Sequence, residues 1–165
     1  MKTLGRLLVV LLLSVFFTNN ALTQTTYTWN GGSGDWNVAT NWSPNGVPGN
    51  TDNVLITASG NYTVTLDVDT SIADISIGGT SGIQTLSLTG RTFTVNGTAM
   101  IGDSGSVSLT NSTINGIGLL TSTGTLTVTS SILDLDFDND GFASFSGACY
   151  INNALTTQPN STIRL

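Results

Sequence analysis

Pairs of apolar residues two apart, each set in a run of hydroxyl residues, recur along the chain: Val64-x-Leu66, Leu86-x-Leu88, Val107-x-Leu109, Leu126-x-Val128 and Cys149-x-Ile151. Two-residue spacing puts both members of a pair on one side of a strand. The first members recur at intervals of about 22, 21, 19 and 23 residues, a period that signals a solenoid. A second apolar anchor follows each pair, at Ile72, Phe93, Ile114, Ile132 and Leu155. Gly78-Gly79, Ser104-Gly105, Thr123-Gly124 and Ser146-Gly147 supply corners near the same interval. The pattern predicts an all-β chain wound as a parallel β-solenoid (β-helix) of about five coils over residues 57–165. Short strands at regular spacing also suit a β-sandwich, which is the alternative architecture. Repetition of one phrase at one interval favours the solenoid.

Aligning the phrases sets outward residues in columns. One reads Thr63, Thr85, Ser106, Thr125; the next Thr65, Ser87, Ser108, Thr127; a third Asp67, Thr89, Thr110, Thr129. Threonine is favoured on any solvated strand, so these columns are first of all ordinary strand surface. Stacked about 4.8 Å apart they would also form a hydroxyl grid able to meet an ordered, hydroxyl-rich surface, polysaccharide or ice.

Residues 24–56 differ from the rest. They hold Trp29, Trp36 and Trp42, together with Pro44 and Pro48, separated by Gly31-Gly32-Ser33-Gly34 and Asn45-Gly46. The end of a solenoid needs an atypical unit to cover its first coil, and bulky aromatics suit that N-terminal cap. The same tryptophans are candidate ligand-binding residues, because an indole face stacks on a sugar ring. The segments Tyr27-Thr28-Trp29-Asn30-Gly31, Asp35-Trp36-Asn37, Asn41-Trp42-Ser43-Pro44-Asn45-Gly46-Val47-Pro48 and Asp52-Asn53-Val54-Leu55-Ile56 carry a resemblance. Over roughly residues 27–100 the chain resembles the opening of secreted bacterial surface β-solenoid proteins, autotransporter-like or adhesins with a sorting signal. The resemblance implies an exported repeat protein of structural or adhesive role, with host or cell-surface molecules among its partners. The last residues, Ser161 to Leu165, read as a strand, so the repeats are expected to be truncated at the C-terminus.

Lys2 and Arg6 precede the apolar run Leu7–Phe17, and small polar residues follow; residues 1–23 read as a secretory signal peptide. The run is too short to span a bilayer as a helix. Beyond it the only basic residues are Arg91 and Arg164, all ten acids are Asp, and His is absent. Nucleic acid and anionic membranes require positive charge, so neither is an expected partner. The expected location is secreted or at the cell surface.

Asp136-x-Asp138-x-Asp140-Gly141 matches the first half of a calcium loop, with carboxylates at positions one, three and five and glycine at six. Phe142 would add a backbone carbonyl. Position twelve is Gly147, so the bidentate Glu is missing. The competing reading is a strand whose Asp134, Asp136 and Asp138 face outward before an Asp-Gly turn. Calcium is the one cofactor suggested. No catalytic constellation is evident: a general base of the His type is absent, and no Ser or Cys has an identifiable activating base. Cys149 is alone, which precludes an internal disulfide. At an inward position it reads as a small buried hydrophobe. The chain is therefore expected to be non-enzymatic.

Overall fold

The computed structural model describes residues 23–165, so all of the signal segment except Thr23 lies outside the described residues. The chain opens with β1 (Thr26–Trp29), β2 (Gly34–Asp35), one 3-10 turn (Ala39–Asn41), β3 (Trp42–Ser43) and β4 (Asn53–Ile56). Then follow β5 (Tyr62–Leu66), β6 (Thr70–Ile72) and β7 (Ile75–Ile77), and β8 (Gln84–Thr89), β9 (Thr92–Val95) and β10 (Ala99–Ile101). The next coils are β11 (Gly105–Thr110) with β12 (Thr113–Ser122), and β13 (Thr125–Thr129) with β14 (Ile132–Asn139). The last strands are β15 (Phe142–Ser146), β16 (Tyr150–Ile151), β17 (Leu155–Thr157) and β18 (Thr162–Arg164).

These strands form three faces of a parallel β-solenoid of about five coils. The first face stacks β2, β5, β8, β11, β13, β15 and β18. The second runs β6, β9, the start of β12, the start of β14 and β16. The third runs β1, β4, β7, β10, the ends of β12 and β14, and β17. Among the described residues, all strand pairings are parallel except β1 with β3.

Val64, Leu86, Val107 and Leu126 stack in one inward column, as the spacing predicts. The column continues through Ala143 and Ile163, not Cys149. Between Val64 and Ala143 the coil length falls from 22 to 17 residues, so the fifth inward pair is Ala143 and Phe145. Ile151 stacks instead under Leu133 on the second face. There the inward column is Phe93, Ile114 and Leu133, all buried, with the half-buried Ile151, and Ile132 faces outward in line with Thr113. Full burial of each such side chain contributes roughly 1.5–3 kcal/mol, and in-register stacking keeps every strand's alternation pointed at the same core.

Two kinds of corner make the coil close. Between the first and second faces, Gly90, Asn111, Ser130 and Gly147 all have positive φ. The N–H of each of the first three donates to the carbonyl of Thr110, Thr129 or Ser146 in the next coil. Between the third and first faces, Gly105, Gly124 and Gly141 approach one another so closely that a Cβ would strike neighbouring backbone. Gly147 therefore belongs to the first kind of corner, and Asp140-Gly141 supplies the glycine expected from Ser146-Gly147.

The leading block is integral to the solenoid: β1, β2 and β4 pair into its sheets, leaving residues 36–52 as the covering insertion. Trp29, Trp36 and Trp42 are only 2%, 0% and 1% exposed. Trp42 meets both other indoles edge-on at 4.8 Å, and Trp36 meets Phe93 edge-on at 5.7 Å. The Trp42 indole N–H donates to the Trp36 carbonyl at 2.8 Å, and that of Trp29 to the Gly32 carbonyl at 2.9 Å.

Candidate functional site: the hydroxyl face

The outward side of the first face carries the regular surface. Inter-coil pairing aligns Thr63, Thr85, Ser106 and Thr125 in one column, and Thr65, Ser87, Ser108, Thr127 and Ser144 in the next. A third column holds Thr89, Thr110, Thr129 and Ser146, and the hydroxyls of Thr129 and Ser146 lie 3.0 Å apart. Neighbouring columns are two residues apart along a strand, so the grid spacing is roughly 4.8 Å along the solenoid axis by 6.6 Å across it. Asp67 is not part of this grid. It lies past the end of β5, where its carboxylate accepts the Asn37 N–H at 2.9 Å.

Among the described residues, negative charge meets this surface at Asp35 of β2, which pairs with Thr65 at the head of the second column. From β5 to β18 the first-face strands contain no acidic residue. Asp69 and Asp74 sit at corners, where each carboxylate accepts a backbone N–H from the next coil, at Thr92 (3.0 Å) and Thr98 (2.7 Å). Asp134, Asp136 and Asp138 lie on β14, on the second and third faces.

Besides Asp35, two outward residues depart from the hydroxyl pattern. Phe142 continues the Thr125 column, and Arg164 continues the Thr127–Ser144 column. The Arg164 guanidinium carbon lies 5.9 Å from the Phe142 ring centroid, at the outer limit of a cation–π contact. Neither residue was singled out for this face from the sequence. The run Phe142-Ala143-Ser144-Phe145-Ser146 has an aromatic at both parities, so only the register of Ala143 against Leu126 reveals which ring points outward.

The sequence-derived candidates fare differently. Sugar stacking requires an open indole face, and Trp29, Trp36 and Trp42 have none; these residues fill the core end. The calcium half-loop is divided between a strand, a corner and the next strand. Residues 132–139 are extended strand, so Asp136 and Asp138 project from β14 in sequence rather than curling around a centre. Asp140 belongs to the corner and Phe142 to the next strand. Among the described residues, no group of three or more acidic, Cys or His side chains converges as a metal site. Gly141, read as the loop glycine, is required by its approach to the Gly124 backbone. Cys149 is half-buried, and its thiol donates to the Ser146 carbonyl at 3.1 Å. It lines an apolar cavity of about 260 Å³ with Phe145, Ile151, Leu155, Ile163 and Leu165.

Burial pushes the Tyr62 phenol above its ordinary value, an effect only partly offset by the Ala58 backbone. No helix among the described residues is long and apolar enough to cross a membrane.

The architecture defines a three-sided parallel β-solenoid with a tryptophan-filled N-terminal end and one hydroxyl face that is free of acidic residues from β5 to β18. No protein-family model matches the chain, and no curated protein or solved structure matches it.

Proposed function

We propose that this protein is a non-enzymatic structural and adhesive module, secreted or held at a cell surface, that contacts extracellular polysaccharide through its first face. The observation that carries this reading is the in-register hydroxyl grid of Thr63, Thr65, Thr85, Thr125 and Thr127 with their serine neighbours. Hydroxyls donate and accept, so a two-dimensional array of them matches the hydroxyls of a packed polysaccharide without charged groups to desolvate. Phe142 and Arg164 interrupt the grid, which favours polysaccharide over ice. Rigid support comes from the stacked core directly beneath.

Retention on a panel of insoluble polysaccharides tests the proposal. Ser87→Glu with Ser108→Glu places two carboxylates at the centre of the grid while leaving the inward columns unchanged. The variant is expected to lose retention at least tenfold. Equal retention of the two proteins, or no retention of either, would overturn the adhesive part of the reading.

A further inference from the structure

The hydroxyl face has a chemically distinct end. Two adjacent outward columns leave the Ser/Thr pattern there, one at Phe142 and the other at Arg164. Phe142 is half-buried and Arg164 is exposed. Every acidic residue of the chain lies at or before Asp140. On this face Arg164 is preceded in its column by Ser144, Thr127, Ser108, Ser87 and Thr65, all uncharged, with Asp35 of β2 beyond Thr65 at the far end. Among the described residues, the one cation of the face thus stands beside its one outward aromatic ring, next to a polar track.

Building on the polysaccharide reading, we infer that Phe142 and Arg164 form an anchoring subsite for an acidic polysaccharide of the uronate class. The ring supplies an apolar surface for one face of a pyranose. The guanidinium presents forked N–H donors that match a carboxylate in bidentate geometry. Its contact with the ring is at the outer distance limit, so the side chain is free to turn toward a ligand while still flanking the ring. The remaining sugars then lie along the solenoid axis, over the column from Ser144 to Thr65. An acid-free stretch, which this face provides from β5 to β18, is a requirement of this arrangement. An anionic polymer could not lie over the outward Asp134, Asp136 and Asp138 without like-charge repulsion, but it can lie over the first face.

The test compares binding of oligogalacturonate and of a neutral cello-oligosaccharide of equal length by calorimetry, using the chain as it stands. The wild type is expected to bind the uronate at least tenfold more tightly, with affinity falling as salt rises. Arg164→Gln should erase that preference without altering neutral binding, Arg164→Lys should restore part of it, and Phe142→Thr should weaken both ligands several-fold. Unfolding midpoints equal to wild type for Arg164→Gln exclude a folding defect. A uronate preference that is absent, or that survives Arg164→Gln, overturns the subsite while leaving the polysaccharide reading intact if neutral binding still depends on Ser87 and Ser108. Failure of both ligands to bind overturns both.

Discussion

The Ser131 hydroxyl accepts the Ser112 backbone N–H at 3.0 Å and donates to the Thr129 carbonyl at 2.7 Å, joining two coils at a buried corner. Ser112 repeats the device one coil earlier, accepting the Arg91 N–H at 3.1 Å and donating to the Thr110 carbonyl at 2.9 Å. Both serines are almost wholly shielded from solvent. Ser131→Ala leaves the Ser112 N–H buried without a partner, so it should cost about 1–3 kcal/mol. Denaturant unfolding measures the loss, and a midpoint equal to wild type would refute the role assigned to this corner.

Gly141 should tolerate no side chain. Its φ is not in the left-handed region, so the constraint is space: a methyl group would meet the Gly124 carbonyl and the Thr123 backbone. Gly141→Ala is expected to destabilise the last coils by about 1–3 kcal/mol, the usual range for overpacking. Limited proteolysis should show earlier cleavage in the last coils than in the tryptophan-filled end.

Tyr62 predicts an alkaline transition. Its side chain is buried, and desolvation, outweighing the Ala58 backbone, holds the folded-state pKa above the ordinary value of 10.0. Between those two values the unfolded chain has lost the proton that the folded chain keeps. Stability from this group is therefore full below about pH 10 and falls as pH rises through the folded value. Tyr62→Phe should flatten that alkaline loss, read as the difference in unfolding midpoint between pH 8 and about pH 11.

Asp138 stands between Thr121 and Thr156 in an outward column of the third face, with one carboxylate oxygen shielded and unpartnered. Asp138→Thr completes a threonine column and removes a poorly solvated charge beside Asp136. A gain of roughly 0.5–1 kcal/mol is expected from chemical denaturation. Calcium at about 5 mM should leave the wild-type midpoint unchanged, because same-side carboxylates on an extended strand are about 6.6 Å apart at their backbones. A rise in midpoint that Asp138→Thr abolishes would instead restore a cation to β14.

The two-residue alternation, read in the chain itself, was enough to determine the strands, the solenoid and the first four members of the Val64 column. It also assigned Thr65, Ser87, Ser108 and Thr127 to one outward row. These are local properties: parity within a strand follows from the extended backbone, whatever lies beside it. Coil length is not local. The close glycine stack and the left-handed corners set how many residues each turn consumes, and the turn from Leu126 to Ala143 consumes fewest. That shift carried Ala143 into the place expected for Cys149, turned Asp140-Gly141 from a loop motif into a corner, and aimed Phe142 outward beside Arg164. Burial of the three tryptophans was likewise decided only in three dimensions. Their rings close over one another and over Phe93, which lies far along the chain from Trp36 but directly against it in the fold. An indole has the same chemistry in a core as on a sugar platform, and only the packing around it determines whether its face is open.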